Sequence, residues 1–231
     1  MLYSIDMKNV ALILASGTGS RCGLDYPKQF AKIKEKCILQ YTVEVFENNR
    51  NIDEIYLVTN SEYVDMVKEL TEGYSKVKNV VAGGTTRKDS SYNGICSINA
   101  DECNVLIHDG VRPLITDTII DNCIKELEHK SAVCVAIDST DTIYVTSDNG
   151  EILSVPNRST LKRAQTPQCF KLSLIKKAHS LAKDDKNCLV TDDCGLIMNY
   201  DLAKVYTVKG SEINIKITYP EDIEFAKNHL E

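Results

Sequence analysis

Apolar positions fall into short unbroken runs along most of the chain, separated by stretches in which they recur every three or four residues. The first run, 10–15 (VALILA), is uninterrupted and ends at a glycine-rich turn, the pattern of a strand covered on both faces of a parallel sheet. Similar runs at 55–59, 77–82, 105–108, 132–137 and 203–208 alternate with helical spacing over 42–48, 62–71, 90–98 and 118–129. This is the rhythm of βαβ units, with right-handed crossovers. The prediction is an α/β fold on a mostly parallel sheet. No internal repeat or linker divides the chain, so residues 1–231 read as one domain.

One segment breaks the rhythm. TIYVTS and EILSV, within 142–155, are strand-like and flank Asp148-Asn149-Gly150, a sequence suited to a tight turn. They predict a β-hairpin set into the α/β domain. A two-stranded hairpin is marginal alone in water. It therefore needs either a second subunit or its own sheet to pack on, and both readings stay open at this point.

With 43% hydrophobic and 26% charged residues in 231, the chain can bury a sizeable core. No stretch approaches the roughly 18 apolar residues of a membrane span. Residues 1–9 mix acidic and basic side chains, unlike a signal or transit peptide, so a cytoplasmic location without membrane partners is expected. The nine cysteines are odd in number and include no C-x-x-C pair, and Cys96, Cys123 and Cys134 sit in apolar patterns. Buried reduced thiols are expected, rather than disulfides or a zinc site. A net charge of −6 argues against a nucleic-acid surface, which collects Lys and Arg.

Candidate chemistry begins directly after the first strand. In Ser16-Gly17-Thr18-Gly19-Ser20-Arg21-Cys22-Gly23 the glycines free backbone N–H groups to curl around an anion, and Arg21 adds a cation. The dinucleotide fingerprint G-x-G-x-x-G fails at Cys22, and Asn60 stands where the second strand would end in an acid. A Walker A loop fails as well. These failures disfavour a Rossmann oxidoreductase, while a purely structural turn or a non-catalytic nucleotide binder remains open. Pro27 stiffens the approach to Lys28, which brings a second cation near the loop and lets Arg21 and Lys28 clamp a triphosphate. The plainer alternative for Lys28 is an ordinary solvated lysine.

Ligands of open α/β sheets bind at the carboxyl ends of the strands. Three clusters lie there. Gly83-Gly84-Thr85-Thr86-Arg87-Lys88-Asp89-Ser90 is a glycine turn opening a helix, suited to a base or ribose. His108-Asp109-Gly110-Val111-Arg112-Pro113 puts a carboxylate at a strand tip, where Mg²⁺ on nucleotide phosphates needs a hard oxygen. Asn214-Ile215-Lys216-Ile217-Thr218 reads as an apolar strand holding Lys216, which then requires a counter-ion.

With these motifs, and with Asp141-Thr142, PNR at 156–158, QTPQ at 165–168 and TDD at 191–193, the chain resembles the sugar-alcohol-phosphate cytidylyltransferases over nearly its whole length. That family includes the methylerythritol-phosphate enzyme of isoprenoid synthesis and the ribitol-5-phosphate enzyme of teichoic acid and capsule synthesis. The resemblance implies a Rossmann-like nucleotidyltransferase fold, a β-arm over 138–161 that builds a homodimer, CTP and Mg²⁺ as partners, and pyrophosphate as second product. It implies Leu14, Ala15, Ser16, Gly17, Thr18, Gly19, Gly84, Arg87 and Ser90 around the nucleotide. Arg21, Lys28 and Lys216 match the catalytic cations on its phosphates, and Asp109 matches the carboxylate beside the magnesium. Arg158 and Thr142 match positions that reach the acceptor phosphate across the dimer. Arg112, Thr166, Thr191 and Asp192 match residues that line or support the acceptor pocket.

A phosphate monoester is largely dianionic at neutral pH, so no general base is needed. Catalysis then reduces to aligning two polyanions and neutralising charge as it builds. For the acceptor, Pro156-Asn157-Arg158 and Thr191-Asp192-Asp193-Cys194 resemble ribitol-type enzymes, whereas Arg163-Ala164-Gln165-Thr166 resembles the methylerythritol type. Ribitol 5-phosphate is the expectation, with 2-C-methyl-D-erythritol 4-phosphate the alternative. Ser16 and Cys22 depart from many relatives, and Cys22, in a loop, is expected to react with alkylating agents.

Overall fold

The computed structural model describes residues 7–185 and 187–230. Its main sheet has seven strands: β1 (Asn9–Ala15), β4 (Glu54–Thr59), β5 (Val77–Ala82), β6 (Asn104–Asp109), β7 (Ala132–Asp138), β10 (Lys162–Lys171) and β11 (Tyr206–Lys209). They lie in the order β11-β7-β10-β6-β1-β4-β5. β1 pairs in parallel with β4 and β6, β4 with β5, and β11 with β7. From β1 the chain steps outward to β4 and β5, then returns to the other side of β1 as β6. Such a reversal opens a crevice at the strands' carboxyl ends.

β10 is antiparallel to both neighbours, β6 and β7, and has no counterpart in the predicted pattern. Its sequence, KRAQTPQCFK, does not alternate, and its pairing with β7 shifts register between Ala164 and Gln168, around Pro167. A proline cannot donate to a ladder, so a central strand containing one needs such an irregularity. The strand predicted at 203–208 is shorter and shifted toward the C-terminus, as β11. The predicted strand at 214–218 is an extended loop without ladder pairing.

The alternation along β1 sorts the core into two layers. Ala11, Ile13 and Ala15 pack with α1 (Ile38–Asn48), α2 (Val64–Thr71) and α4 (Asp117–Leu127), through side chains such as Phe46, Val67 and Ile120. Val10, Leu12 and Leu14 face α3 (Arg87–Ser97), α5 (Leu172–Lys183) and α6 (Asp193–Asn199), through Ile95, Ile175 and Ile197. Both faces of the sheet are therefore dry at its centre, as parallel sheets require. Helix α3 lies close on the sheet because Gly94 has no side chain: a Cβ there would meet Leu12 Cδ1 and Val58 Cγ2 at 2.6 Å. Its first turn is closed by a reciprocal cap between Thr86 and Asp89.

A smaller cluster joins the short hairpin β2 (Lys32–Ile33) and β3 (Lys36–Cys37) to α7 (Pro220–Lys227) through Ile33, Ile38, Val111, Leu114, Ile217 and Ala226. The predicted arm is a separate two-stranded sheet, β8 (Val145–Thr146) with β9 (Ile152–Ser154), turning at Gly150 with φ 86°. It does not join the main sheet, and Ile143, Tyr144, Val145, Ile152, Leu153 and Val155 are exposed on it. All nine cysteines are free. Eight are buried, whereas Cys96 is exposed against expectation, on the outer face of α3, and Cys22 is 2% exposed despite its loop position. No helix among the described residues is long and apolar enough to cross a membrane.

Candidate active site

The crevice at the reversal of strand order is a cleft of about 380 Å³. It is lined by Leu14, Ala15, Ser16, Gly17, Thr18, Gly19, Arg21, Lys28, Gly84, Arg87, Ser90, Asp109 and Lys216. Every nucleotide-binding or catalytic candidate read from the sequence thus borders one cavity. Gln29 lines it too, as do Thr85, Thr86 and Val111, which the sequence clusters contain without an individual role.

The glycine loop leaves β1 and is held open from behind by Gln29, whose amide is 1% exposed. Gln29 Nε2 donates to Ala15 O at 2.6 Å and to Gly17 O at 3.0 Å. With those two carbonyls tied back, the loop turns at Gly19, where φ is 72°. A Cβ there would meet Lys28 Cγ at 2.9 Å, so glycine is needed for both backbone angle and close approach. Across the cleft, Ser90 Oγ accepts from Gly84 N–H at 3.1 Å and donates to Thr86 O at 3.0 Å. Ser16 Oγ lies 2.8 Å from it and bridges the two loops.

The floor is Asp109, the last residue of β6 and 7% exposed. Its Oδ2 accepts from Lys216 Nζ at 2.8 Å and lies 3.7 Å from Arg112 Nε, while its Oδ1 lies 3.6 Å from Arg87 Nε. Burial alone would push this carboxyl up, but Lys216, Arg87 and Arg112 outweigh it and hold it far below the ordinary carboxylate range. Asp109 is therefore ionised at any physiological pH. For Lys28, burial and then the nearby charge of Lys216 push the ammonium below its ordinary value. Two adjacent cations facing one cavity favour a polyanion between them.

Lys216 reaches the cleft from a loop, yet that loop is tethered on both sides. Ile217 is fully buried and donates its N–H to Val111 O at 2.9 Å, while Arg112 Nη1 donates to Asn214 O at 2.8 Å. The counter-ion expected for Lys216 is Asp109.

Beneath the floor, Asp109 N–H donates to Thr166 Oγ1 at 3.1 Å, and Thr166 Oγ1 lies 3.0 Å from His108 Nδ1. His108 Nε2 lies 3.2 Å from Arg112 O, a pure acceptor, so the imidazole carries its proton on Nε2 and accepts the Thr166 hydroxyl proton at Nδ1. Burial pushes His108 down to about 4, which keeps the ring neutral.

The acceptor candidates are more dispersed. Thr166 and Arg112 are buried at 4% and 9% exposure and support Asp109 from below instead of lining the cavity. Among the described residues, Arg112 Nε has no hydrogen-bond partner. Thr191 and Asp192 line a neighbouring hollow of about 470 Å³ that shares Thr86 and Arg87 with the main cleft. Asp192 caps α6 by accepting Gly195 N–H at 2.7 Å and also accepts from Gln168 Nε2 at 2.7 Å. Arg158 and Thr142 lie at the exposed foot of the arm, outside the cleft of their own chain, and Arg158 Nη1 donates to Thr140 O at 3.0 Å. Two further groups were given no role in the sequence reading: Asp193, the last residue of the TDD motif and fully enclosed beside Arg87, and His179, packed against it. Asp193 stands next to a named candidate, but nothing in the sequence marks His179 as its neighbour.

The described residues contain no group of three or more His, Cys, Asp or Glu able to hold a metal ion. What the cleft offers a cation is one carboxylate. That suits Mg²⁺, which keeps several waters and binds through one or two carboxylates together with substrate phosphates.

The model of the 2-C-methyl-D-erythritol 4-phosphate cytidylyltransferase family matches residues 9–231. A protein of that name from Clostridium botulinum (strain Loch Maree / Type A3) is 41% identical over 97% of this chain and 98% of its own. The bifunctional ribulose 5-phosphate reductase/CDP-ribitol pyrophosphorylase Bcs1 of Haemophilus influenzae is 39% identical over 95% of this chain, which spans 47% of that protein. Among solved structures, 4-diphosphocytidyl-2C-methyl-D-erythritol synthase from Anaerococcus prevotii superposes with a TM-score of 0.86 at 32% identity, covering 97% of this chain and 98% of its own.

Proposed function

The chain belongs to the 2-C-methyl-D-erythritol 4-phosphate cytidylyltransferase family and is a CTP-dependent cytidylyltransferase, and from that premise we propose that its acceptor is 2-C-methyl-D-erythritol 4-phosphate. The observation that carries the proposal is end-to-end similarity to a protein bearing that name. It displaces the ribitol 5-phosphate expectation, which rested on two short motifs. The two acceptors share a terminal phosphate and a run of hydroxyls, and the methyl branch that distinguishes one of them is worth only about 1–3 kcal/mol in a pocket. Short polar motifs are a weak guide to so small a difference. Ribitol 5-phosphate remains the second reading, favoured by the similarity to the Haemophilus influenzae protein.

In the proposed reaction the triphosphate lies along the glycine loop with Arg21, Lys28 and Lys216 on its oxygens. An acceptor phosphate oxygen attacks the α-phosphorus, and the bond to pyrophosphate breaks. The acceptor is already ionised, so the protein's work is alignment and charge neutralisation. Asp109 is the residue that would hold Mg²⁺ with the nucleotide, and the ion would supply further neutralisation of phosphate charge. Arg158 and Thr142 are assigned to an acceptor phosphate in the cleft of a second subunit. The exposed apolar arm supports that assignment, since its side chains need a partner surface.

The test is pyrophosphate release from CTP and MgCl₂, with the two acceptor phosphates offered separately at equal concentration. A kcat/KM at least tenfold higher for 2-C-methyl-D-erythritol 4-phosphate is expected, consistent with about 1.4 kcal/mol of discrimination. Preference for ribitol 5-phosphate would overturn the acceptor assignment.

A further inference from the structure

Arg87 is the first residue of α3, where a cation opposes the positive end of the helix dipole. It is held there by Asp193, 106 positions later in the chain: Arg87 Nη1 donates to Asp193 Oδ2 at 2.7 Å. Asp193 is itself immobilised. Its Oδ1 accepts from Ser91 Oγ at 2.6 Å and lies 3.0 Å from His179 Nε2, and its N–H donates to Gln168 Oε1 at 3.0 Å. Its side chain is 1% exposed. The guanidinium is thus stretched between two carboxylates and bonded to one only, since Nε stops 3.6 Å short of Asp109 Oδ1. That distance is too long for a hydrogen bond. Meanwhile Lys216 occupies the other oxygen, Oδ2. Among the described residues, Asp109 Oδ1 therefore accepts no hydrogen bond, in a cleft crowded with cations.

We infer that Asp193 is a positioning residue that restrains Arg87 from closing onto Asp109, keeping Asp109 Oδ1 available to the cation that accompanies the nucleotide. The inference rests on the reading of the cleft as a CTP and magnesium site. The opposing possibility is that the Arg87–Asp193 pair is only a staple between α3 and α6. The two differ in what removal of the charge does. A lost staple lowers stability and leaves the metal dependence of nucleotide binding alone. A lost restraint lets Arg87 pair with Asp109 and compete with the cation.

The experiment is calorimetric titration of CTP into wild type and Asp193→Asn, in EDTA and over a series of MgCl₂ concentrations, with thermal unfolding alongside. The MgCl₂ concentration giving half of the metal-dependent gain in CTP affinity is expected to rise about tenfold or more in Asp193→Asn, the factor for one added charge-assisted hydrogen bond to compete against. CTP affinity in EDTA is expected to change less than that. Ser91→Ala, which removes one bond from Asp193 and keeps its charge, is expected to move the same concentration in the same direction by about two- to threefold. It also serves if Asp193→Asn does not fold. An unchanged magnesium requirement in the folded variants, whatever happens to stability, overturns the inference. Wild-type CTP binding that ignores MgCl₂ overturns instead the reading of the site, and the inference with it.

Discussion

Gln29 is the support on which the shape of the glycine loop depends, so replacing it with alanine separates loop geometry from loop sequence. The substitution removes both bonds made by Nε2, to Ala15 O and Gly17 O, from an amide that is 1% exposed. Ala15 O keeps only a 3.5 Å contact with Thr59 Oγ1, whereas Gly17 belongs to an exposed part of the loop and can turn to water. Leaving a buried carbonyl unpaired costs about 1–3 kcal/mol, and losing one further hydrogen bond about 1, so the expected destabilisation is about 2–4 kcal/mol. In a domain of this length that lowers Tm by about 5–15 °C. The loop also loses its preorganisation, so CTP affinity is expected to fall about tenfold or more. Urea unfolding and calorimetric CTP titration measure the two effects. Gln29→Glu is the discriminating companion. At neutral pH its carboxylate faces two carbonyl oxygens and is at least as damaging as alanine, and acidification partly restores it by returning one donor. Gln29→Ala with stability within about 0.5 kcal/mol of wild type and unaltered CTP binding would refute the reasoning.

Lys28→Ala and Lys216→Ala are expected to remain folded by circular dichroism and to lose about 10²–10³ in kcat, the range for removing one stabilising group from developing charge; turnover near wild type in either rules out its assigned role. His108 stays neutral down to about pH 4 in the folded chain, whereas an unfolded histidine takes up its proton near 6.5. Its contribution to stability is complete above pH 6.5 and is lost as pH falls toward 4, by about 3 kcal/mol in all; His108→Gln should flatten that part of the stability profile in chemical denaturation. Brief iodoacetamide treatment of the native protein should label Cys96 and spare Cys22, as read by peptide mass spectrometry, and prompt loss of Cys22 would contradict its burial. Leu153→Asp on the arm should convert a dimer to monomers by sedimentation velocity and abolish turnover while sparing CTP binding; a wild type that sediments as a monomer would sink the proposed role of the arm.

Strands β1 and β6 are the most legible in the sequence, because they are buried on both faces and 10–15 and 105–107 present only apolar residues there. Strand β10 was illegible for the opposite reason. Gln165, Thr166 and Gln168 are buried in the middle of the sheet and satisfied by Ser211 O, His108 and Asp192, so polarity marks support for the site and hides the strand. Lys216 shows the same limit from another side. Its need for a counter-ion was readable, but the alternation of Ile215, Lys216 and Ile217 arises from one buried apolar anchor, Ile217, in a tethered loop that joins no ladder. The nucleotide side of the cleft was readable because it is built from contiguous loops after β1, β5 and β6. The Arg87–Asp193–His179 chain was not, since it exists only once α3, α5 and α6 have packed on one face.

Gly94 carries none of the chemistry, yet it sets the gap across which that chemistry acts. Helix α3 is a lever: its middle rests on Leu12 and Val58, and its leading end presents Arg87 and Ser90 to the glycine loop. A single methyl group added at position 94 would wedge the lever away from the sheet. The far end would lift, parting Ser16 from Ser90 and drawing Arg87 away from both of its carboxylates. The jaw width of the enzyme is thus calibrated by an empty space two helical turns away from the substrate.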